Sequence, residues 1–153
     1  MARPEDIPEP LRTVTTTVEC PHFDTQPFTE GRPLSERRVA MLSSAALIKR
    51  GQAPFHFGTT EYRQVPAIWA AGDILMSHVS INFDRSGFQR DINTVYPIDR
   101  LRELAAAGVI GGMAETHYTV MGSSDPAGMA ETADQIAGQL RQERIDSVLL
   151  SPV

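Results

Sequence analysis

The chain has 153 residues, 41% hydrophobic and 22% charged, with a formal net charge of −5. That length makes one domain the default and allows a real core, while the acidic balance argues against sequence-independent nucleic-acid binding, which needs clustered positive charge to displace counterions. A single cysteine excludes an internal disulfide and a cysteine-built metal cluster.

No apolar run approaches the length that spans a bilayer. The first ten residues, MARPEDIPEP, are acidic and proline-rich, unlike a signal peptide. Together these features predict a cytoplasmic protein. Residues 1–36 carry Pro4, Pro8, Pro10, Pro21, Pro27 and Pro33 and little periodicity. They predict an arm, with a short helical turn near residues 10–16, that lies over the domain or reaches a partner. Within it, Cys20-Pro21-His22 is open to two readings: a reactive thiol beside an imidazole, or an ordinary free cysteine in a loop.

Residues 37–153 are expected to form a single α/β domain. RVAMLSSA (38–45) opens it as a strand, because Val39, Ala40, Met41 and Leu42 form the continuous apolar run of a strand buried on both faces. Ser43 and Ser44 follow at its carboxyl end, where hydroxyls either meet a ligand or bond to nearby backbone. Gly51, Pro54 and Gly58 predict a loop over 47–60. A short strand over 61–65 and a helical turn packed by Trp69 follow. DILMSH (73–78) reads as the second buried strand of the sheet.

A polar stretch then runs to Arg100: MSHVSINFDRSGFQRDINTVYPIDR. A loop leaving the carboxyl end of a buried strand is where open α/β sheets place ligands. Phe83 and Phe88 are expected to pin it to the body. Pro97 opens a helix whose apolar face is Ile98, Leu101, Leu104 and Ala105, with Gly108 just past its end. VIGGMAETHYTVM (109–121) reads as a strand with a Gly-Gly entry. Ser123-Ser124-Asp125-Pro126 is an N-cap signal. Met129, Ala133, Ile136 and Leu140 repeat on one face of the helix that follows. DSVLLSPV (146–153) is the last buried strand.

The later order is strand, helix, strand, helix, strand. Right-handed crossovers place helices on the faces of a largely parallel sheet, which predicts a three-layer α/β fold. It is Rossmann-like in outline, but no glycine-rich phosphate fingerprint opens a helix after the first strand. Ser151-Pro152-Val153 lies where parallel strands point at the ligand crevice. It reads either as a natural terminus on an edge strand or as the cut end of a longer domain.

Several segments, in this order and spacing, resemble the selenoprotein B family of glycine, sarcosine and betaine reductases, including the selenoprotein subunit of D-proline reductase. They are ECPHFDTQPF (19–28), RRVAMLSSAALIKRG (37–51), SHVSINFDRSGFQRDINTVYPIDRLRELAAAGVIG (77–111), HYTVMG (117–122) and VLLSPV (148–153). The similarity is closest to small bacterial homologues. The resemblance implies that a redox-active selenocysteine or cysteine follows the segment like VLLSPV. It therefore predicts selenocysteine at position 154 of the natural product, encoded by UGA and read as stop, so that the 153-residue chain is truncated and inactive.

The implied chemistry is dithiol-dependent reductive cleavage of a C–N bond α to a carboxylate, by attack of a selenolate on the α-carbon. No cofactor is expected in residues 1–153. The implied partners are a small amino-acid-like substrate, a carbonyl-bearing subunit of the complex, and a redox partner subunit or thioredoxin-like dithiol donor; a homo-oligomer is a further expectation. His78 and His117 become candidate acid–base groups. Ser43, Ser44, Asp84, Arg85, Asp91, Asn93 and Arg100 become candidate substrate-binding residues, the arginines as carboxylate clamps. Asp99 is assigned to helix-dipole stabilisation only. Two other readings stay open: a divalent metal on His78, Asp84, Asp91 and His117, and a non-catalytic binding or complex-forming subunit.

Overall fold

The computed structural model describes residues 4–17, 22–80 and 85–153. Its centre is β1 (Arg38–Ser43), in which Val39, Ala40 and Met41 are buried, as their apolar run predicts. β1 has neighbours on both edges. Val39 pairs with Met113 of β5 (Gly112–Met113) and with Ser147 of β7 (Ser147–Ser151). Leu42 pairs with Tyr118 of β6 (Thr116–Val120) and with Leu150 of β7. β5 and β6 therefore share one edge of β1 and β7 takes the other. All three run parallel to β1. β3 (Tyr62–Pro66) adds an antiparallel strand outside β6.

Helices cover both faces. On one face Val39, Met41 and Val65 pack against Ile98 and Leu101 of α3 (Ile98–Ala106). On the other, Leu42, Tyr62, Tyr118 and Val120 pack against Ile136 and Leu140 of α4 (Ala130–Gln142). The fold is thus α/β in three layers around a mostly parallel sheet. Ile98 and Leu101 are each 3% exposed, worth about 1.5–3 kcal/mol apiece in area removed from water. Gly108 takes φ +69° just past α3, a backbone region open to glycine at no steric cost. Asp125 caps the 3-10 turn Pro126–Met129 before α4 by accepting from Ala127 N at 3.0 Å. Thr132, not Ala133, is the buried residue of the first turns of α4; Ala133 is exposed. Leu104, at 40% exposure, sits at the margin of the α3 face.

Four sequence expectations are corrected. The 47–60 stretch is not all loop: β2 (Leu47–Lys49) pairs antiparallel with β4 (Ile74–Met76). β4 is therefore part of a separate two-stranded sheet, not the second strand of the main one. Residues 109–121 form β5 and β6 as two short pieces, because the ladder breaks at Ala114 and Glu115. β7 is not buried: Val148, Leu149 and Leu150 are 39%, 42% and 65% exposed. Before β1 lies α1 (Leu11–Thr17), where a helical turn is expected. Cys20 and Pro21 lie outside the described residues, as do Phe83 and Asp84; Phe88, in α2 (Ser86–Arg90), packs on the core.

Candidate functional site

The carboxyl ends of β1, β6 and β7 meet in a group of serines. Ser43 Oγ donates to Val95 O at 2.8 Å, and Ser151 Oγ donates to the same carbonyl at 3.0 Å. Ser44 N donates to Ser151 O at 3.2 Å. Ser44 Oγ accepts from Val153 N at 2.8 Å, so it holds the chain where it leaves β7. The sequence therefore places both hydroxyls correctly at a strand end, and the structure gives both of them backbone partners.

His78 joins this group. It follows β4, anchored by Ser77 N donating to Ala46 O at 2.9 Å and by Ser77 Oγ accepting from Phe55 N at 2.8 Å. Its ring is 4% exposed. Nδ1 accepts from Ser80 N at 3.1 Å, which assigns the neutral tautomer with the proton on Nε2. Nε2 points at Gly122, the residue two past β6. A Cβ there would stand 3.0 Å from His78 Nε2 and 3.0 Å from Ser44 Cβ. A side chain there would press on the imidazole and on the end of β1, and one of them would have to give. The sequence signal for this glycine was present in HYTVMG, but nothing in the motif showed which neighbour needed the space. Arg85 donates to His78 O and to Ser80 O, each at 2.6 Å. Burial first, and the Arg85 charge second, hold the His78 pKa below its ordinary value. At neutral pH the ring is therefore uncharged.

His117 lies deeper, fully buried in β6. Its Nδ1 accepts from Met41 N at 3.0 Å, filling the gap in the β1 ladder where β5 and β6 break. Its ring meets Tyr96 edge-on at 5.7 Å between centroids. His117 Nε2 and Tyr96 OH are buried without a hydrogen-bond partner among the described residues. Burial, helped by the charge of Arg102, lowers the His117 pKa to about 4.

Asp91, Asn93 and Arg100 form a different group. Asp91 Oδ1 accepts from Asn93 N at 2.9 Å and from Asn93 Nδ2 at 2.8 Å, which holds its carboxyl below the usual range. Asn93 Nδ2 also donates to Asp99 at 2.9 Å, and Asn93 Oδ1 accepts from Asp99 N at 2.9 Å. This is the entry to α3, a capping arrangement rather than an open clamp. Arg100 pairs with Glu103 at 2.8 Å, both well exposed. A cleft of about 390 Å³ beside this cap is lined by Arg50, Phe88, Arg90, Asp91 and Asp99. Among the described residues no three His, Cys, Asp or Glu side chains gather as a metal would require. No helix among them is long and apolar enough to cross a membrane.

The comparisons with known proteins agree with one another. The chain is 30% identical over 123 residues to the D-proline reductase subunit gamma of Acetoanaerobium sticklandii, covering 78% of this chain and 50% of that protein. It is 26% identical over 145 residues to the glycine reductase complex component B subunit gamma of Symbiobacterium thermophilum, covering 90% of this chain and 33% of the relative. The corresponding protein of Carboxydothermus hydrogenoformans is 25% identical over 144 residues, with the same coverage. The matches thus cover between a third and a half of each curated relative. No solved structure matches. The family model for glycine/sarcosine/betaine reductase selenoprotein B matches residues 14–153, and the chain belongs to that family.

Proposed function

We propose that this chain is the amino-terminal part of a selenoprotein B-type reductase component. Its reaction is the dithiol-dependent cleavage of a C–N bond in a small amino-acid-like substrate. The nucleophile, selenocysteine or cysteine, stands at position 154 of the natural product, directly after Val153. The net reaction converts one C–N bond into a C–H and an N–H bond, and oxidises two thiols to one disulfide. Residues 1–153 lack that residue and are inactive alone.

The observation that carries this reading is the bond from Val153 N to Ser44 Oγ, beside the buried imidazole of His78, which packs close to Gly122. It directs the chain after β7 toward the carboxyl ends of the parallel strands, where such folds bind ligands. There the neutral His78 has a role that its depressed pKa suits. With its proton on Nε2, the neutral ring helps hold a selenolate or thiolate ionised by hydrogen bonding, and the amine leaves as its own cation, already protonated. Ser43, Ser44 and Ser151 fix the backbone frame around that exchange, and Arg85 ties down the carbonyls of His78 and Ser80. His117, with its deep burial and low pKa, serves the frame of the sheet.

The reading is tested by reading the source DNA past codon 153. A TGA codon with further coding sequence in frame supports it; a TAA or TAG codon contradicts it. A second reading, a binding or complex-forming subunit, draws on the printed names of the relatives, which are subunits of reductases or reductase complexes. Co-purification with other subunits, and no turnover by the longer product, would favour it.

A further inference from the structure

β7 has the character of an interior strand and the surroundings of an edge strand. Among the described residues it pairs only with β1, so its outer row of N–H and C=O groups has no ladder partner. Its run Val148-Leu149-Leu150 is uncharged and apolar on both faces. Natural edge strands carry charges, prolines or bulges that discourage pairing. β7 has none of these within Ser147–Ser151. Strands apolar on both faces belong inside parallel sheets, covered by helices on each side.

The register assigns each side chain to a face. Val148 and Leu150 pair with Ala40 and Leu42, so they lie on the α4 face; Leu149 pairs with Met41 and lies on the α3 face. The topology states what should cover them. Crossovers between parallel strands are right-handed in about 98% of cases, so the direction of travel across a sheet fixes the face its helix takes. From β6 the chain moves across β1 to β7 with α4 on the Leu42 face. A further step outward from β7 repeats that direction and therefore needs its helix on the α4 face. The most exposed of the three, Leu150, at 65%, lies on that face.

We propose that β7 is covered by polypeptide that follows Val153 in the natural product. A helix comes first, lying beside α4 over Val148 and Leu150. A strand then pairs parallel with the outer edge of β7. This rests on the proposed reading that the natural product continues. It adds where the continuation goes: a helix whose apolar stripe matches Val148 and Leu150, and an aliphatic strand buried on both faces.

The test compares residues 1–153 with the natural read-through product, carrying cysteine at any UGA codon, by hydrogen exchange of the amides of residues 147–151. The longer product should exchange at the outward-facing amides at least ~100-fold more slowly than residues 1–153. Leu150→Lys should lower the melting temperature of the longer product by several degrees and leave that of residues 1–153 nearly unchanged. Since that variant could misfold in the longer product, Leu150→Ala gives the same contrast on a smaller scale. Equal exchange in the two proteins overturns the proposal. So does a dimer of the longer product whose β7 protection is lost on dilution to monomer, since a second copy would then be the occupant. A source gene with no downstream frame overturns it as well. Dithiol-dependent turnover is read separately. Protected β7 without turnover refutes the reductase reading alone, and turnover with unprotected β7 refutes this inference alone.

Discussion

Acid should unfold this protein through His117 before its carboxylates matter. Burial, and then the charge of Arg102, lower the pKa of this imidazole from 6.5 to about 4. Protonation would also turn Nδ1 from an acceptor into a donor and set it against Met41 N, its partner at 3.0 Å. Between pH 6.5 and 4 the unfolded chain binds a proton that the folded chain refuses. Stability present at pH 7 is therefore lost as pH falls through that window, and the loss is complete below the folded pKa. At 1.36 kcal/mol per pKa unit the full loss is about 3 kcal/mol, of which about 2–3 kcal/mol is reached by pH 4.5. That is a large share of the roughly 5–15 kcal/mol that holds a domain folded. His78 shifts in the same direction and adds to the slope. Asp91 and Asp99 are also lowered, from 3.8, so their contribution is lost only below the window. Urea unfolding at pH 7 and pH 4.5, for the wild type and for His117→Phe, isolates the effect. The variant should be about 1–3 kcal/mol less stable at pH 7, since Met41 N loses its acceptor, but should lose most of the pH dependence. NMR titration of the His117 ring gives the same answer without mutation: the ring should remain neutral at pH 5. Equal pH slopes in the two proteins, or a His117 midpoint near 6.5, would refute the reasoning.

Gly122→Ala should cost about 1–3 kcal/mol in a denaturant melt, because the new Cβ meets His78 Nε2 and Ser44 at 3.0 Å and one of them must move. A melt within a few tenths of wild type would mean that His78 is not held there. Ser44→Ala removes the acceptor of Val153 N, which is exposed enough for water to replace it, so the loss in stability should stay below about 1 kcal/mol. Exchange of the Val153 amide should quicken, and in the longer product turnover should fall more than stability does. Arg100→Ala should change stability by less than about 0.5 kcal/mol, since its pairing with Glu103 is exposed. A KM raised by that variant with kcat unchanged would return Arg100 to the substrate clamp.

The sequence revealed elements whose residues face one environment throughout. Val39 to Leu42 read as a strand buried on both faces and form the centre of the sheet. Pro97, Leu101 and Gly108 marked α3, whose helical residues begin just after the proline. β2 was invisible because three residues show no period. β4 looked like a parallel-sheet strand because ILM reads the same in a two-stranded sheet, and nothing local says which partner it will find. The break between β5 and β6 depends on a side chain, the His117 ring, taking over a backbone bond from Met41. Apolar composition predicted burial for β7, but burial also requires neighbours, and residues 1–153 supply them on one edge only.

In the site, residue type was more legible than partnership. His78, Ser43 and Ser44 stand out in the sequence as polar groups at strand ends, and the structure places them near one another there. The sequence does not show the spatial roles of Gly122 and the Val95 carbonyl, since a backbone acceptor and an absent side chain leave no chemical mark. Asp91 and Asn93 were read as ligand groups, although their spacing, D-x-N, is also that of a cap, which is how they bond.

The most direct test of the account is a dithiol-dependent turnover assay on three proteins: residues 1–153, the natural read-through product, and that product with serine at position 154. The substrates are small amino acids and their N-methylated forms, and the readout is release of amine with stoichiometric disulfide. The account predicts turnover by the read-through product alone. Turnover by residues 1–153, or undiminished turnover with serine at position 154, would contradict it.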